Sequence, residues 1–468
     1  MKTRNLYIVT YGCQMNVYDS TCLEASMRKR GWNLAESQEG ADFIFLNTCS
    51  IREKAARRVI GHLKRLKALK LKNPALILGV GGCVAEQEGR KLLDEVPWLN
   101  LVVGPGRLSE IPLLVENLTS DMPPIVLSGQ APLAQPEPPA QPGPALDSGQ
   151  RDLSDFEEID PRPAPIGSFL TIMTGCDNYC AYCVVPYLRG PERSRPREEV
   201  LAEARNLVSR GSVELTLLGQ NVNSYGRAGH RGGEDFVDLL TEVSKIPNLL
   251  RLRFTTSHPK DFPPALVGLF GKLPSLCEHL HLPLQAGSDR ILAAMGRRYD
   301  KNRYLSLVSA LREACPDLAL STDVIVGFPG ETEEEFLQTV DLLETVRFDF
   351  IFSFKYSDRP MTKANSLPGK IEENEKQRRL THLQAVQKTI TLEKHQALIG
   401  QSREVLVEGF GRKAGQLSGR TRDLKLVNFD GPASLMGRLA TVTILEAWPV
   451  SLIGQLSSDR PSAPQNLN

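Results

Sequence analysis

Three hydrophobic rhythms follow one another along the chain. From Leu6 to about Leu118, short apolar runs alternate with amphipathic stretches. Leu6–Thr10, Asp42–Leu46 and Ala75–Val80 read as strands, with helices expected from about Val17 to about Arg30, after Ile51 and after the third strand. A βαβαβ alternation of this kind folds as a doubly wound parallel sheet with helices on both faces. The rhythm stops between Pro123 and Pro165. Segments such as Ala131–Pro144 (APLAQPEPPAQPGP) hold little that a core could bury and read as an extended linker, within which only Ile125–Leu127 keeps a strand-like pattern. A second alternation then sets in, with strands expected at Ser168–Met173, Val213–Leu218, Leu250–Thr255, Glu278–Leu282, Leu318–Ile325 and Phe350–Phe354. Six βα units suit an incomplete (β/α)6 TIM-like barrel, because the long charged helical pattern of Ile371–Ile399 leaves too little chain for eight. Past Gln401, short alternating runs with Gly turns (REVLVEG, GQLSGRT, LKLVNF, GRLATVTILEA) predict a small β-barrel. The α/β chain is thus expected to divide into a sheet domain (1–120), a Pro-rich linker (121–165), the barrel (166–398), the small β-barrel (399–456) and a disordered tail (457–468).

Composition narrows the function. At 468 residues the chain exceeds one ordinary core. A net charge of +1 excludes a surface given over as a whole to nucleic acid or membrane, while leaving room for local basic patches. The first residues lack the architecture of a signal peptide and no apolar run is long enough to cross a bilayer, so a cytoplasmic protein without membrane attachment is expected. Nine cysteines in such a chain point to metal or redox chemistry rather than to a disulfide framework.

Two cysteine constellations carry that chemistry. Cys176, Cys180 and Cys183 stand in TGCDNYCAYCVVPYLRG, a Cx3Cx2C spacing directly after the first strand of the barrel segment. Strand ends of parallel barrels are where active sites lie, and three thiolates suit a four-iron cluster with one iron left open. A redox pair, an incomplete zinc site or buried structural thiols are the competing readings, and none accounts for three cysteines crowded into one loop. Cys13, Cys49 and Cys83 are scattered in sequence, yet YIVTYGC, FIFLNTC and LGVGGC each end an apolar run just before a helix. Successive parallel strands bring such ends together at helix N-termini, which favour anionic thiolates. A second three-thiolate site is therefore expected. The run GVGGCV fails as a dinucleotide fingerprint, because Val84 replaces its last Gly. Cys22, Cys277 and Cys315 fit no ligand spacing and read as ordinary semi-buried thiols.

The Cx3Cx2C loop resembles the radical S-adenosylmethionine (SAM) superfamily, and the three dispersed cysteines resemble its methylthiotransferase branch. TYGCQMNVYDS, LNTCSIREKA, GVGGCVAE, GCDNYCAYCVVPYLRGPERSR, LLGQNVNSY, HLPLQAGSD, VIVGFPGET and YSDRP follow the order and spacing of the MiaB type, which acts on isopentenyladenosine in tRNA. Gln14, Met15 and Asn16 after the first cysteine distinguish that type from relatives acting on threonylcarbamoyladenosine or on a ribosomal protein. The resemblance implies two [4Fe–4S] clusters, held by Cys176, Cys180 and Cys183 and by Cys13, Cys49 and Cys83. It also implies two molecules of SAM per turnover, one as the source of a 5′-deoxyadenosyl radical and one as methyl donor, with a methylthio group inserted at carbon-2 of the adenine. Tyr182, Gln220, Asn223, Ser257, Gln285 and Asp323, near strand ends, are the expected SAM contacts. His258, His279 and His281 read as satisfied core or rim histidines. An electron donor such as flavodoxin or ferredoxin and a monomeric state are expected on the same basis.

The terminal β-barrel resembles the TRAM module, an RNA-binding domain, through LVEGFGRKAGQLSGRT. Arg412, Lys413, Arg420, Arg422 and Lys425 are its candidate phosphate contacts, with the helix Arg57–Lys72 and the loop Arg189–Arg197 as extensions of the track. YSDRPMTKA and GRTRDLKLVNF each lack residues usual in these motifs. Two rival functions remain at this stage: methylthiolation of threonylcarbamoyladenosine, and a non-catalytic iron–sulfur protein that binds RNA or senses redox state.

Overall fold

A computed structural model of the chain describes residues 4–50, 53–128, 163–226 and 236–457, and of residues 53–57 the backbone only. Most of the expected linker and nearly all of the expected tail lie outside the described residues. Two compact units are distinguished: the first holds the described residues up to 128 together with 174–177 and 184–193, the second the remainder.

The first unit is a six-stranded sheet of β1 (Arg4–Tyr11), β2 (Trp32–Leu34), β3 (Phe43–Thr48), β4 (Ile77–Gly82), β5 (Leu101–Val103) and β6 (Ile125–Leu127), ordered β2-β1-β3-β4-β5-β6. Every neighbouring pair is parallel. Side chains alternate between faces along each strand. Ile44, Leu46, Leu78, Val80 and Val102 face one way, onto Val59, Leu63 and Leu66 of the helix Glu53–Lys72. Phe43, Phe45, Ile77, Leu101 and Val103 face the other, onto Leu23 and Met27 of the helix Gln14–Lys29 and Ile111 and Val115 of the helix Ile111–Asn117. Burial on both faces is why these strands read as near-continuous apolar runs. The order reverses between β1 and β3, and a crevice at the carboxyl ends of strands at such a switch is where doubly wound sheets bind ligands.

The second unit contains a curved parallel array. Strand β7 (Gly167–Thr171) is followed by two-residue strands β8 (Met173–Thr174) and β9 (Arg193–Ser194), then by β10 (Glu214–Leu218), β11 (Arg251–Thr255), β12 (His279–His281), β13 (Ala319–Val326) and β14 (Phe350–Lys355). Two parallel three-stranded ladders, β11-β10-β7 and β12-β13-β14, are linked by the bridge Leu252↔Leu276 and by the Cys277 N–H to Leu252 carbonyl bond of 3.0 Å. This is the six-strand open barrel that the second alternation predicts. The helix Glu373–Gln396 follows. The closed barrel after it runs β15 (Ser402–Phe410), β16 (Gln416–Thr421), β17 (Leu426–Asp430), β19 (Leu452–Leu456) and β18 (Leu439–Ala447). Its last strand has no counterpart in the sequence expectation and closes the ring by pairing with both β17 and β18.

The small barrel packs against the amino-terminal ends of the open-barrel strands. Fully buried Arg251, the first residue of β11, donates 2.9 Å to Glu404 Oε1, and Arg253 donates to the Thr421 and Arg422 carbonyls at 3.0 and 2.7 Å.

Candidate functional site

Parallel registry aligns the ends of β1, β3 and β4: Tyr11 pairs with Thr48, and Thr48 with Gly82. Cys13, Cys49 and Cys83 stand one or two residues beyond those ends. The side chain of Cys49 interacts with those of both Cys13 and Cys83, so the fold brings three cysteines from separate βα units together. Close approach depends on two glycines. A Cβ on Gly12 would lie 2.9 Å from Cys49 Cβ, and one on Gly82, at φ +87°, would lie 2.2 Å from the Thr48 carbonyl oxygen. Fully buried Asn16 braces the group: its Nδ2 donates to Asn47 Oδ1 and the Thr48 carbonyl at 3.0 Å each, while its Oδ1 accepts from the Cys13 N–H at 3.2 Å.

The electrostatics favour anionic sulfur at Cys13 and Cys83. Sharing protons with Cys49 pulls Cys13 and Cys83 below the usual thiol range against the opposing effect of burial, and the Arg189 guanidinium adds to the pull. The same sharing pushes Cys49 up. Arg189 interacts with Cys83 and donates 3.2 Å to Asp19 Oδ2, with the Arg189 and Asp19 side chains nearly buried. Burial works against its charge, and Asp19, Cys83 and Cys13 outweigh that. Leu188 and Val184, from the same segment, pack on Cys83. The sequence reading treats Arg189 only as a candidate RNA contact; its side chain instead belongs to this thiol site.

Among the described residues no group of three or more His, Cys, Asp or Glu is placed to hold a single metal ion. A four-iron cubane has no need of such a point, since each thiolate binds a different iron. Three converging thiols with a buried cation beside them fit that donor set.

Cys176 follows Gly175, whose φ is +80° and whose Cβ would lie 2.0 Å from the Pro191 carbonyl oxygen; the Cys176 N–H donates to the Gly190 carbonyl at 3.1 Å. Cys180 is buried and Cys183 half-buried, and the Cys183 N–H donates to the Cys180 carbonyl at 2.9 Å. Tyr182 is half-buried against the main core, its hydroxyl 3.5 Å from Arg297 Nη1.

Four of the expected cofactor contacts share one property. Gln220 Oε1, Asn223 Oδ1 and Nδ2, Ser257 Oγ and Gln285 Oε1 are buried without a hydrogen-bond partner among the described residues, as is His258 Nε2. An unsatisfied buried polar atom costs about 1–3 kcal/mol, so such a set on successive strand ends suits a polar ligand. Thr256 and Gln285 add left-handed backbone at φ +72° and +75°, strain of the kind concentrated at functional sites. Asp323 differs. It lies within β13 and faces His281 Nε2 at 3.4 Å.

The histidines divide. His279 and His281 each hydrogen-bond Ser321 Oγ at 3.0 Å, as satisfied core histidines should. His258 departs from that expectation: its Nδ1 accepts from the Lys260 N–H, but Nε2 is orphaned. Burial first, then the charges of Arg297, Lys260 and Arg298, push it down to about 2, which keeps it neutral. Cys277 and Cys315 are fully rather than partly buried, and Cys22 is half-buried.

The basic set of the small barrel needs correction. Arg422 forms a fork with Glu278 at 2.6 and 2.9 Å, and Lys425, 8% exposed, pairs with Asp349 at 3.0 Å and Asp423 at 2.5 Å. Both are neutralised where the two barrels meet and hold the junction instead of facing phosphate. Arg420 pairs with Glu408. Arg412 and Lys413 are exposed, beside Phe410 at 70% exposure.

Comparison with known proteins agrees with this layout. Residues 5–104 match the uncharacterized protein family UPF0004, residues 170–343 the radical SAM superfamily and residues 396–457 the TRAM domain. The chain is 45% identical over 456 residues to a tRNA-2-methylthio-N(6)-dimethylallyladenosine synthase of Syntrophus aciditrophicus, covering 97% of this chain and 94% of the relative. It is also 45% identical to a protein of that name from Geobacter metallireducens, covering 97% and 98%. Among solved structures it is similar in fold to the radical SAM methyltransferase TsrM of Kitasatospora setae, with a TM-score of 0.54 at 16% identity over 89% of this chain and 77% of that one.

Proposed function

This chain belongs to the tRNA-2-methylthio-N(6)-dimethylallyladenosine synthase family of radical SAM enzymes, and from that premise we propose how its residues divide the work. It is a tRNA methylthiotransferase that uses SAM and two [4Fe–4S] clusters. When bound, those groups supply the radical and the sulfur chemistry. Everything else is placement by the protein.

Cys176, Cys180 and Cys183 hold the SAM-cleaving cluster in this reading, and Cys13, Cys49 and Cys83 hold the auxiliary one. Three thiolates from each triad would leave one iron of a cubane open to an exogenous ligand. Gln220, Asn223, Ser257 and Gln285 turn their unpaired polar atoms toward SAM, and neutral His258 offers a ring nitrogen that carries no charge to compete with it. Tyr182 and Asp323 flank that set. Arg412 and Lys413, between β15 and β16, with Phe410 at the end of β15, meet the tRNA, whose target base leaves its stack to reach the site. The catalytic domains are taken as 1–120 and 166–398, the RNA-binding module as 399–456. A flavodoxin or ferredoxin supplies the electron, and the chain works as a cytoplasmic monomer. Among the described residues no helix is long and apolar enough to cross a membrane.

The observation that supports this reading most is the convergence of Cys13, Cys49 and Cys83 through the registry of β1, β3 and β4. Anaerobic reconstitution of the full chain tests it. Two cubanes require about eight irons per chain. Iron content unchanged by replacing Cys13, Cys49 and Cys83 together with Ala would refute the auxiliary assignment.

A further inference from the structure

The helix Asp289–Ala294 ends at Met295, and Gly296, at φ +73°, turns the chain sharply. A left-handed glycine is the usual device for such a stop. The turn runs beneath the cysteine loop, where the Ala181 N–H donates to the Met295 carbonyl at 2.8 Å. The next residue, Arg297, is 4% exposed. Its Nε donates to Tyr299 Oη at 3.0 Å, its Nη2 to the Pro283 carbonyl at 3.0 Å, and its Nη1 to Cys180 Sγ at 3.4 Å and Tyr182 Oη at 3.5 Å. Tyr299 spends its own proton on the Pro283 and Leu284 carbonyls, at 3.1 and 2.8 Å, and so faces Arg297 as an acceptor.

What sets this arginine apart is its company. Buried arginines elsewhere in the fold meet carboxylates: Arg189 meets Asp19, Arg251 meets Glu404, Arg253 meets Glu214 and Arg379 meets Glu331. Arg297 forms no ion pair with a carboxylate among the described residues; three neutral oxygens and one cysteine sulfur surround it. An uncompensated buried cation costs several kcal/mol, so its counter-charge must come from the sulfur side. Three thiolates on a four-iron cluster carry net negative charge, and hydrogen bonds to sulfur together with nearby charge are what set a cluster's potential.

We propose that Arg297 is a positioning residue that provides the permanent counter-charge for the Cys180 thiolate and raises the reduction potential of the cluster which that thiolate ligates. The inference rests on the reading of Cys176, Cys180 and Cys183 as cluster ligands. No bond to Arg297 forms or breaks. One electron from an external low-potential donor enters the site, and the fixed positive charge favours its arrival.

The test uses the full chain with Cys13, Cys49 and Cys83 replaced by Ala, so that one cluster remains, reconstituted anaerobically and titrated with dithionite while the reduced signal is followed by electron paramagnetic resonance. Arg297→Met should shift the one-electron reduction equilibrium at least tenfold toward the oxidised form, about 59 mV to lower potential. Arg297→Lys, which keeps the charge but loses the fork, should stay closer to the parent. Loss of iron from the Met variant alone also supports the charge. Unchanged potentials in both variants, or equal loss of iron from both, overturn the proposal, the latter by assigning Arg297 to packing alone. A parent that binds no iron removes the premise, since the ligand assignment itself then fails.

Discussion

Replacing Lys425 by Met separates a structural role from an RNA contact. The ammonium group is buried between Asp349 Oδ1 at 3.0 Å and Asp423 Oδ2 at 2.5 Å. Met fills nearly the same space, so the change removes charge with little loss of packing. Asp423, its side chain 15% exposed, then stands without that cation, while Asp349 keeps Lys394 Nζ at 2.6 Å and the Leu320 N–H at 3.0 Å. Breaking a buried pair costs about 3–5 kcal/mol, and the surviving Lys394 contact places this case near 3 kcal/mol. At about 2 °C per kcal/mol for a domain of this size, the melting temperature should fall by roughly 6 °C. Circular dichroism of the full chain measures that. RNA filter binding over a salt series supplies the contrast: Lys425→Met should leave the salt slope unchanged, whereas Arg412→Ala with Lys413→Ala should lower the slope by about two and leave the melting temperature nearly unmoved. An unmoved melting temperature in Lys425→Met, together with a reduced salt slope, would show that Lys425 faces phosphate after all.

Other perturbations probe the catalytic side. Cys180→Ala should abolish formation of 5′-deoxyadenosine, measured chromatographically, whereas Cys49→Ala should leave it measurable while stopping sulfur insertion; equal effects would show that the two triads do not divide the work. Ser257→Ala removes a hydroxyl without a partner among the described residues. The SAM-free protein should therefore lose no stability, while calorimetry should find SAM affinity reduced about tenfold, or about 1.4 kcal/mol. A drop in stability with affinity intact would mean the hydroxyl serves the fold. Two hydrogen bonds from Arg290, each 2.6 Å, lead the effects that hold Glu335 down at about 2. Its folded value lies below its unfolded one, so the stabilisation is present above about pH 4.5 and is lost as pH falls toward 2. Glu335→Gln should flatten the acid limb of melting temperature against pH, and an unchanged limb would remove Glu335 from that role.

Much of the architecture is legible in apolar periodicity because both sheet faces and the open barrel are buried. The cysteine convergence follows from the same regularity: parallel strands of similar length bring Cys13, Cys49 and Cys83 level once β1, β3 and β4 are recognised. Strands of three residues such as Trp32–Leu34 and Leu101–Val103 escape, being too short for a period to register. The charges are harder to read. Arg422 and Lys425 look like a phosphate-binding run until folding brings Glu278 and Asp349, far away in sequence, against them. Arg189 and Arg297 are missed for a related reason: no local pattern marks an arginine that will be packed against a distant cysteine.

The most direct test of the whole assignment is product analysis. Purified protein, reconstituted anaerobically and supplied with SAM and a reductant, is incubated with tRNA carrying isopentenyladenosine, and the nucleosides are resolved by mass spectrometry. The expected product is 2-methylthio-isopentenyladenosine, formed only when all six of Cys13, Cys49, Cys83, Cys176, Cys180 and Cys183 are intact. Unmodified isopentenyladenosine from a chain fully loaded with iron, or methylthio product from a chain lacking either triad, would contradict it.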